Sequence, residues 1–546
     1  MAWPRALRTS GFVASRVRTS CACGFALVWI TSADCARPEF SPPRPDFAPP
    51  AERIDAPPLR LDAATVPPMY TKLLPIDLPT VTRVASAQNI DIRLARYEVE
   101  QSQGRFEGVA GAVFPAVVPS ALFQRIDGRN LNSNGDLFSV GFNTFQPSVA
   151  VEWITNPGRV AYEIVAARKR LAASRHDEAA IIQQILRRAA VQYYELALAQ
   201  ARIAAAEQAR REALELERIT GLQVQIGAGV PADGLRAAAR VAEREQDLAL
   251  TLNAFYRASL ALVSTLQIDD PTMTLVPRAS ELVPVPLVRD DAPIDELLAA
   301  AVALRPDLQS VRELVEAAAA QRGAVAWGGL GPEFALSYRY GGITGHANNI
   351  RAPRGVPGNL VLNPLAEDGR FSTDPFIHGA TKEVVERGLR GLQGRRDVTF
   401  AFNQRTEASA AVSARWTLSV FGDLKTASAS RGRAVAEAER AFLRAKVEVV
   451  DAAQSGRVHR RLIGLANQQV RAGEEALRLT QANLEAGTMT ALDVLQAQDA
   501  VAQARIRYAE AVVRFNQAQV DLLAALGLLD EQTLAPLPAT PPQPVE

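Results

Sequence analysis

Two stretches of the chain carry apolar residues at alternating intervals of four and three. In the C-terminal stretch these are Ala497, Val501, Ala504, Tyr508, Ala511, Phe515, Ala518, Leu522 and Ala525. The same spacing is found 260 residues earlier, at Ala237, Val241, Arg244, Leu248, Thr251, Phe255, Ala258, Leu262 and Thr265, and five of the nine pairs are identical. Heptad spacing predicts helices meeting in a coiled-coil seam, where alanine alternating with a large residue lets backbones approach. The turn before each stretch is duplicated as well, with residues 227–233 (GAGVPAD) lying over residues 487–493 (GTMTALD). An ordinary amphipathic helix does not account for a duplicated heptad behind a duplicated turn.

The preceding segments also match. Asn89-Ile90-Asp91-Ile92 opens one helix and Arg305-Pro306-Asp307-Leu308 opens its counterpart; the helices end near Pro115 and Pro332. Short, moderately alternating stretches follow at 116–125, 137–153, 334–340 and 410–416, and read as strands. Val149, Val151 and Trp153 share one face, and Ala414, Trp416 and Leu418 another. Each repeat therefore reads helix, strand, strand, long helix, turn, long helix. The long helices run without proline from about 160 to 226 and from about 424 to 486. At 1.5 Å per residue each is on the order of 100 Å long, too long for a compact domain. The fold class is mainly α with a small β part, internally duplicated. Mixed polar and apolar faces suit transmembrane barrel strands, and taken alone suit an ordinary soluble sheet equally well; as a barrel, four strands cannot close, so several copies are implied.

The expected organisation follows. Residues 1–35 are a signal peptide and 36–80 a proline-rich extended lead. The first repeat, 81–270, has a strand pair at 116–156 and a hairpin at 157–267 with its tip at 227–233. A connector spans 271–293. The second repeat, 294–530, has a strand pair at 333–422 interrupted by an insertion at 341–404, and a hairpin at 423–528 with its tip at 487–493. Residues 531–546 are a proline-rich tail. The signal reading rests on Arg5, Arg8, Arg16 and Arg18 ahead of a short apolar stretch from Cys21 to Ala33. Cys35 is a candidate for lipidation as the first mature residue; Asp34 before it fits that signal badly, and an incidental cysteine beside an ordinary cleavage site is the alternative. No later segment approaches roughly 18 uninterrupted apolar residues, so an exported chain is periplasmic, secreted or a membrane β-barrel.

Composition removes several classes. Sixty basic residues balance 59 acidic ones, so nothing points to nucleic acid. All three cysteines precede position 36 and the four histidines are scattered, so no cofactor or metal is expected. No phosphate-binding loop and no nucleophile–histidine–acid set can be assigned, and glycines such as Gly341-Gly342 and those in 355–358 read as loop glycines. An enzyme is not expected.

The duplicated arrangement, the second tip AGTMTALDVLQAQ with FNQAQVDLLAALG after it, and the phrase Leu304-Arg305-Pro306-Asp307-Leu308 resemble the TolC-type outer-membrane efflux protein family, from about 75 to 529. The resemblance implies a homotrimer, with a twelve-stranded barrel in outer-membrane lipid and a periplasmic α-barrel of twelve helices. It implies a passive, gated conduit from periplasm to exterior within a tripartite export system. The tips, with Gly227, Asp233, Gly487 and Asp493, would sit at the periplasmic mouth and dock an adaptor protein linked to an inner-membrane pump. Gln496 stands where some members carry a second acid, Met489 where they carry a base, and Leu484 where they carry an aromatic residue. Asp493 and Asp233 have a further reading as helix caps before Val494 and Gly234. A periplasmic coiled-coil scaffold or adaptor without channel activity is the competing function.

Overall fold

The structure is a computed structural model. It describes residues 47, 57, 59–60, 72–131, 137–225, 230–278, 281–289, 291–348, 398–414, 416–485 and 488–534. All of these fall in one unit spanning 45–546. The signal segment with Cys35, the tip glycines Gly227 and Gly487, and the tail beyond 534 lie outside the described residues.

In chain order the elements are β1 (Leu59–Arg60), β2 (Lys72–Ile76), α1 (Leu78–Gln88), α2 (Ile90–Gly111), β3 (Ala116–Leu131), β4 (Leu137–Thr155), α3 (Pro157–Gln225) and α4 (Pro231–Leu266). There follow β5 (Met273–Pro277), β6 (Glu281–Leu282), α5 (Ile294–Leu304), α6 (Pro306–Leu330), β7 (Glu333–Asn348), β8 (Val398–Ser413), α7 (Ser419–Glu485) and α8 (Ala491–Leu526). The chain is mostly helical with a small sheet part. With 69 residues in α3 and 67 in α7, each rod is about 100 Å long.

α3 is the centre of the helical layer. It packs against α2 and α6 in the half nearer the sheet, and against α4 and α8 in the half nearer the tips; α7 packs on α6 and α8. The seam of α8 is buried from Val501 to Ala525, with Phe515 fully inside. In α4, Ala237, Phe255 and Leu262 are buried, whereas Arg244 reaches out to an ion pair.

The sheet has the order β3-β4-β7-β8, antiparallel throughout, and β3 and β8 are its edges. Several expected limits move. Residues 341–348 and 398–404, expected in the insertion, are strand: Gly341 pairs with Arg405 and Ala347 with Val398. Gly341 is not a loop glycine, because its bare backbone lies against Ser148 and the Pro147 carbonyl, where a Cβ would come within 2.6 Å. At the other end, 416–422 is not strand. The Val420 and Phe421 N–H groups donate to the Thr417 and Leu418 carbonyls at 3.2 and 3.3 Å, which turns the chain into α7 at Ser419. The end of the proline-rich lead is ordered too: β2 lies parallel to β5 of the connector, and α1 starts at Leu78 behind the cap Asp77.

Candidate functional site

The sheet separates its side chains by chemistry. One face carries Val117, Phe123, Phe145, Val149, Val151 and Trp153 on the first strand pair, and Phe334, Leu336, Tyr338, Tyr340 and Val412 on the second, aligned by the register. Most of these large apolar groups are exposed, Val117 at 66% and Val412 at 68%. From the row Thr155–Phe334–Val412 to the row Phe123–Phe145 the band spans six rows, about 34 Å along a strand. The other face is mixed, with Val118 and Leu122 beside polar groups. There Ser120 and Ser148 share a hydrogen bond of 2.8 Å, as do Ser337 and Ser409, and Arg339 faces Glu152 at 3.7 Å.

Asn156 and Gly158 join the sheet to the rods. Asn156 caps α3, accepting from the Arg159 N–H at 3.0 Å, while its amide donates to the Trp327 carbonyl of α6 at 2.9 Å. Gly158 lies under the Trp327 ring, leaving no room for a Cβ.

At the second tip the cap is Thr490, not Asp493. α8 starts at Ala491, and Asp493 sits in its third position. The Thr490 hydroxyl accepts from the Asp493 N–H at 3.4 Å, and the Asp493 carboxylate accepts from the Thr490 N–H at 2.9 Å, a reciprocal capping box. The Thr490 side-chain and backbone bonds hold the Asp493 carboxyl below the usual aspartate range. At the first tip Asp233 likewise lies inside the first turn, behind Pro231, and pairs with Arg236 at 3.0 Å; Val230 stands at the cap position with no side-chain bond. Gln496 is exposed on α8, as are Val230, Leu235, Met489 and Leu492 at the tips. The structure therefore separates Asp233 and Asp493 into two local motifs within one chain.

The sequence reading did not assign Asn516 and Gln519, within the FNQAQV phrase. Asn516 accepts from the Val285 N–H at 2.8 Å and donates to the Val283 carbonyl at 3.0 Å. Gln519 accepts from the N–H groups of Leu287 and Val288 at 3.0 and 2.9 Å. Together they hold the connector against α8. Their signal was a pair of polar residues beside the seam, in a row with Val512 and Leu523 at the same four-and-three spacing. The other marked phrase meets the same region: Gly527, in left-handed conformation at φ 75°, lies against the backbone of Arg305, whose guanidinium pairs with Asp307 at 2.8 Å and Glu448 at 2.7 Å.

Among the described residues no helix is long and apolar enough to cross a membrane. The family model described as "Outer membrane efflux protein" matches residues 81–266 and 297–528, well over half of the chain. Several solved structures are similar. The outer-membrane channel OprN is 18% identical with a TM-score of 0.65, over 88% of this chain and 99% of its own. The CmeC outer membrane channel of Campylobacter jejuni is 16% identical with a TM-score of 0.65, over 83% and 87%. The outer membrane protein VceC of Vibrio cholerae is 18% identical with a TM-score of 0.63, over 82% and 96%. Among curated proteins none matches in sequence. At these identities the structural likeness carries the fold.

Proposed function

Because the chain belongs to the outer membrane efflux protein family, we propose that three copies join head to tail into a gated conduit from periplasm to exterior. The observation that carries the proposal is the coincidence of two sets of open edges. The sheet ends at β3 and β8, and four strands cannot close on themselves. The helical layer ends at α2 and α4 on one side and at α7 on the other. Both flanks expose apolar groups: Leu94, Tyr97, Leu235 and Leu250 on the first, Leu443, Val447 and Leu465 on the second. β3 runs on from α2, and β8 leads into α7, so one neighbour satisfies strands and rods together.

Three copies give twelve strands. With strands tilted about 40°, the apolar band of the sheet stands about 26 Å tall, near the roughly 25 Å of an outer-membrane barrel. Its aromatic and aliphatic side chains face lipid, and the serine and Arg339–Glu152 face lines the duct. The tips form the periplasmic mouth, where exposed Leu235, Met489 and Leu492 meet an adaptor protein tied to an inner-membrane pump that supplies the energy. Transport through the chain itself is passive.

The test is twofold. Heat-modifiable trimers in the outer-membrane fraction, and steps of conductance in a planar bilayer, are expected; a periplasmic monomer without conductance would replace the conduit with a scaffold. Converging Asp493 carboxylates would focus a negative field and favour cations. Asp493→Ala is expected to lower cation preference; unchanged ion preference removes Asp493 from the conducting path.

A further inference from the structure

The two hairpins end alike at an offset of 260 residues. α3 ends at Gln225 and α7 at Glu485, α4 at Leu266 and α8 at Leu526. A residue in left-handed conformation follows each returning helix, Gln267 in one and Gly527 in the other. Packing inside the hairpins keeps the same offset. Val224 lies beside Gly234, and their counterparts Leu484 and Val494 share one apolar core. Glu245 of α4 faces Arg210 of α3, and its counterpart Arg505 of α8 faces Glu474 of α7, one turn beyond the counterpart of Arg210. One hairpin therefore overlays the other residue by residue.

Within the chain the hairpins meet where α3 packs on α8, and that seam is charged. Arg187 pairs with Asp521 at 2.6 Å, Arg202 with Glu510 at 2.6 Å and Arg514 with Glu195 at 3.1 Å. Gln517 donates to the Val191 carbonyl at 3.2 Å and to the Glu195 carboxylate at 2.9 Å. Carrying each α3 position forward to α7, and each α8 position back to α4, gives the residues in the same places on the two outer flanks. Arg187 and Asp521 become Val447 and Ala261, and Arg202 and Glu510 become Leu462 and Leu250. Val191 and Gln517 become Asp451 and Arg257, a pair of opposite charge. All of these flank residues are exposed in the single chain.

A closed ring of like units repeats one seam around its circle. With the hairpins alternating around the ring, seams within a copy alternate with seams between copies. Permanent interfaces between copies are also more apolar than ordinary surface, which suits leucine and valine in the places of charged groups. We propose that the seam between neighbouring copies repeats the internal α3–α8 seam at this offset. Leu462 of α7 then meets the partner subunit's Leu250, Val447 meets the partner subunit's Ala261, and Asp451 pairs with the partner subunit's Arg257. The assignment rests on the three-copy reading and adds to it the register of the rods.

Charge reversal in the full-length protein tests the register. Asp451→Arg and Arg257→Asp are each expected to lower trimer yield about threefold to tenfold, and the two together to restore it to within about twofold. Since both positions are exposed in the single chain, an unchanged helical signal serves as the control for folding. Leu250→Cys combined with Leu462→Cys, treated with a short bifunctional thiol reagent, is expected to give ladders of two and three chains. The chain's own cysteines all precede position 36, so joined peptides identify the new link by mass. If trimers form but neither reversal changes their yield and positions 250 and 462 stay unlinked, the register is overturned and the ring stands. Absence of any trimer from the unaltered chain overturns both.

Discussion

Gly527 ends α8 at φ 75° with the Arg305 backbone close against it, so a Cβ would meet the Arg305 Cα at 2.8 Å. Gly527→Ala is therefore expected to cost at least about 1 kcal/mol, read as a lower denaturation midpoint. Asn516→Leu fills the same space but strands the Val285 N–H and the Val283 carbonyl, at about 1–3 kcal/mol. Proteolysis within the connector should then precede loss of the helical signal. At the second tip, Thr490→Ala removes the cap and is expected to destabilise the start of α8 by about 1 kcal/mol. The pH dependence follows from the Asp493 carboxylate, whose folded pKa is depressed by Thr490. Its contribution is complete above the ordinary aspartate value of 3.8 and is lost as pH falls through the lower folded value. Protection of the first α8 turn, its amide exchange taken relative to the unstructured chain at the same pH, should fall on acidification there, and Asp493→Asn should remove that dependence. The chain wrote the presence of a turn before Val494 plainly, through Thr490 and Asp493. It did not write which of the two was the cap, because both types serve there and a one-residue change of start exchanges their roles.

The sheet shows which element-level features a sequence displays. Rods of this length were legible from proline-free runs of more than sixty residues, and α4 and α8, which return beside them, from heptads whose signal accumulates over many turns. Strand limits were not, because each strand offers only a few alternations and its glycines imitate loops. Gly341 and Gly345 lie inside β7 because the neighbouring strand comes close to them, a reason visible only after pairing. The two faces also make different demands. Val151→Lys, on the apolar face midway along the band, is expected to cost about 2–4 kcal/mol in a bilayer. Ser337→Lys, one residue before Tyr338 and on the mixed face, is expected to be tolerated. Folding yield into lipid vesicles and heat-modifiability of the product distinguish the two; equal loss from both would mean that neither face meets lipid.

At the scale of the molecule, the proposed ring is joined through two unlike flanks, α2, α4 and β3 on one side and α7 and β8 on the other. Such heterologous contacts close only when the rotation between neighbours completes a circle. Replacing Leu443 and Val447 of α7 by glutamate places charge on one flank of the rods alone. Trimer yield on size exclusion is expected to fall while the helical signal of the chain persists.

A flank-damaged copy keeps one good side, and with it the ability to dock. It would take a seat in a growing ring and offer its successor nothing to hold. In a cell making sound and damaged copies equally, random mixing leaves roughly one ring in eight free of a damaged member. Injury to one flank should thus behave as a dominant trait, while a chain too disrupted to dock at all should be silent beside a healthy one.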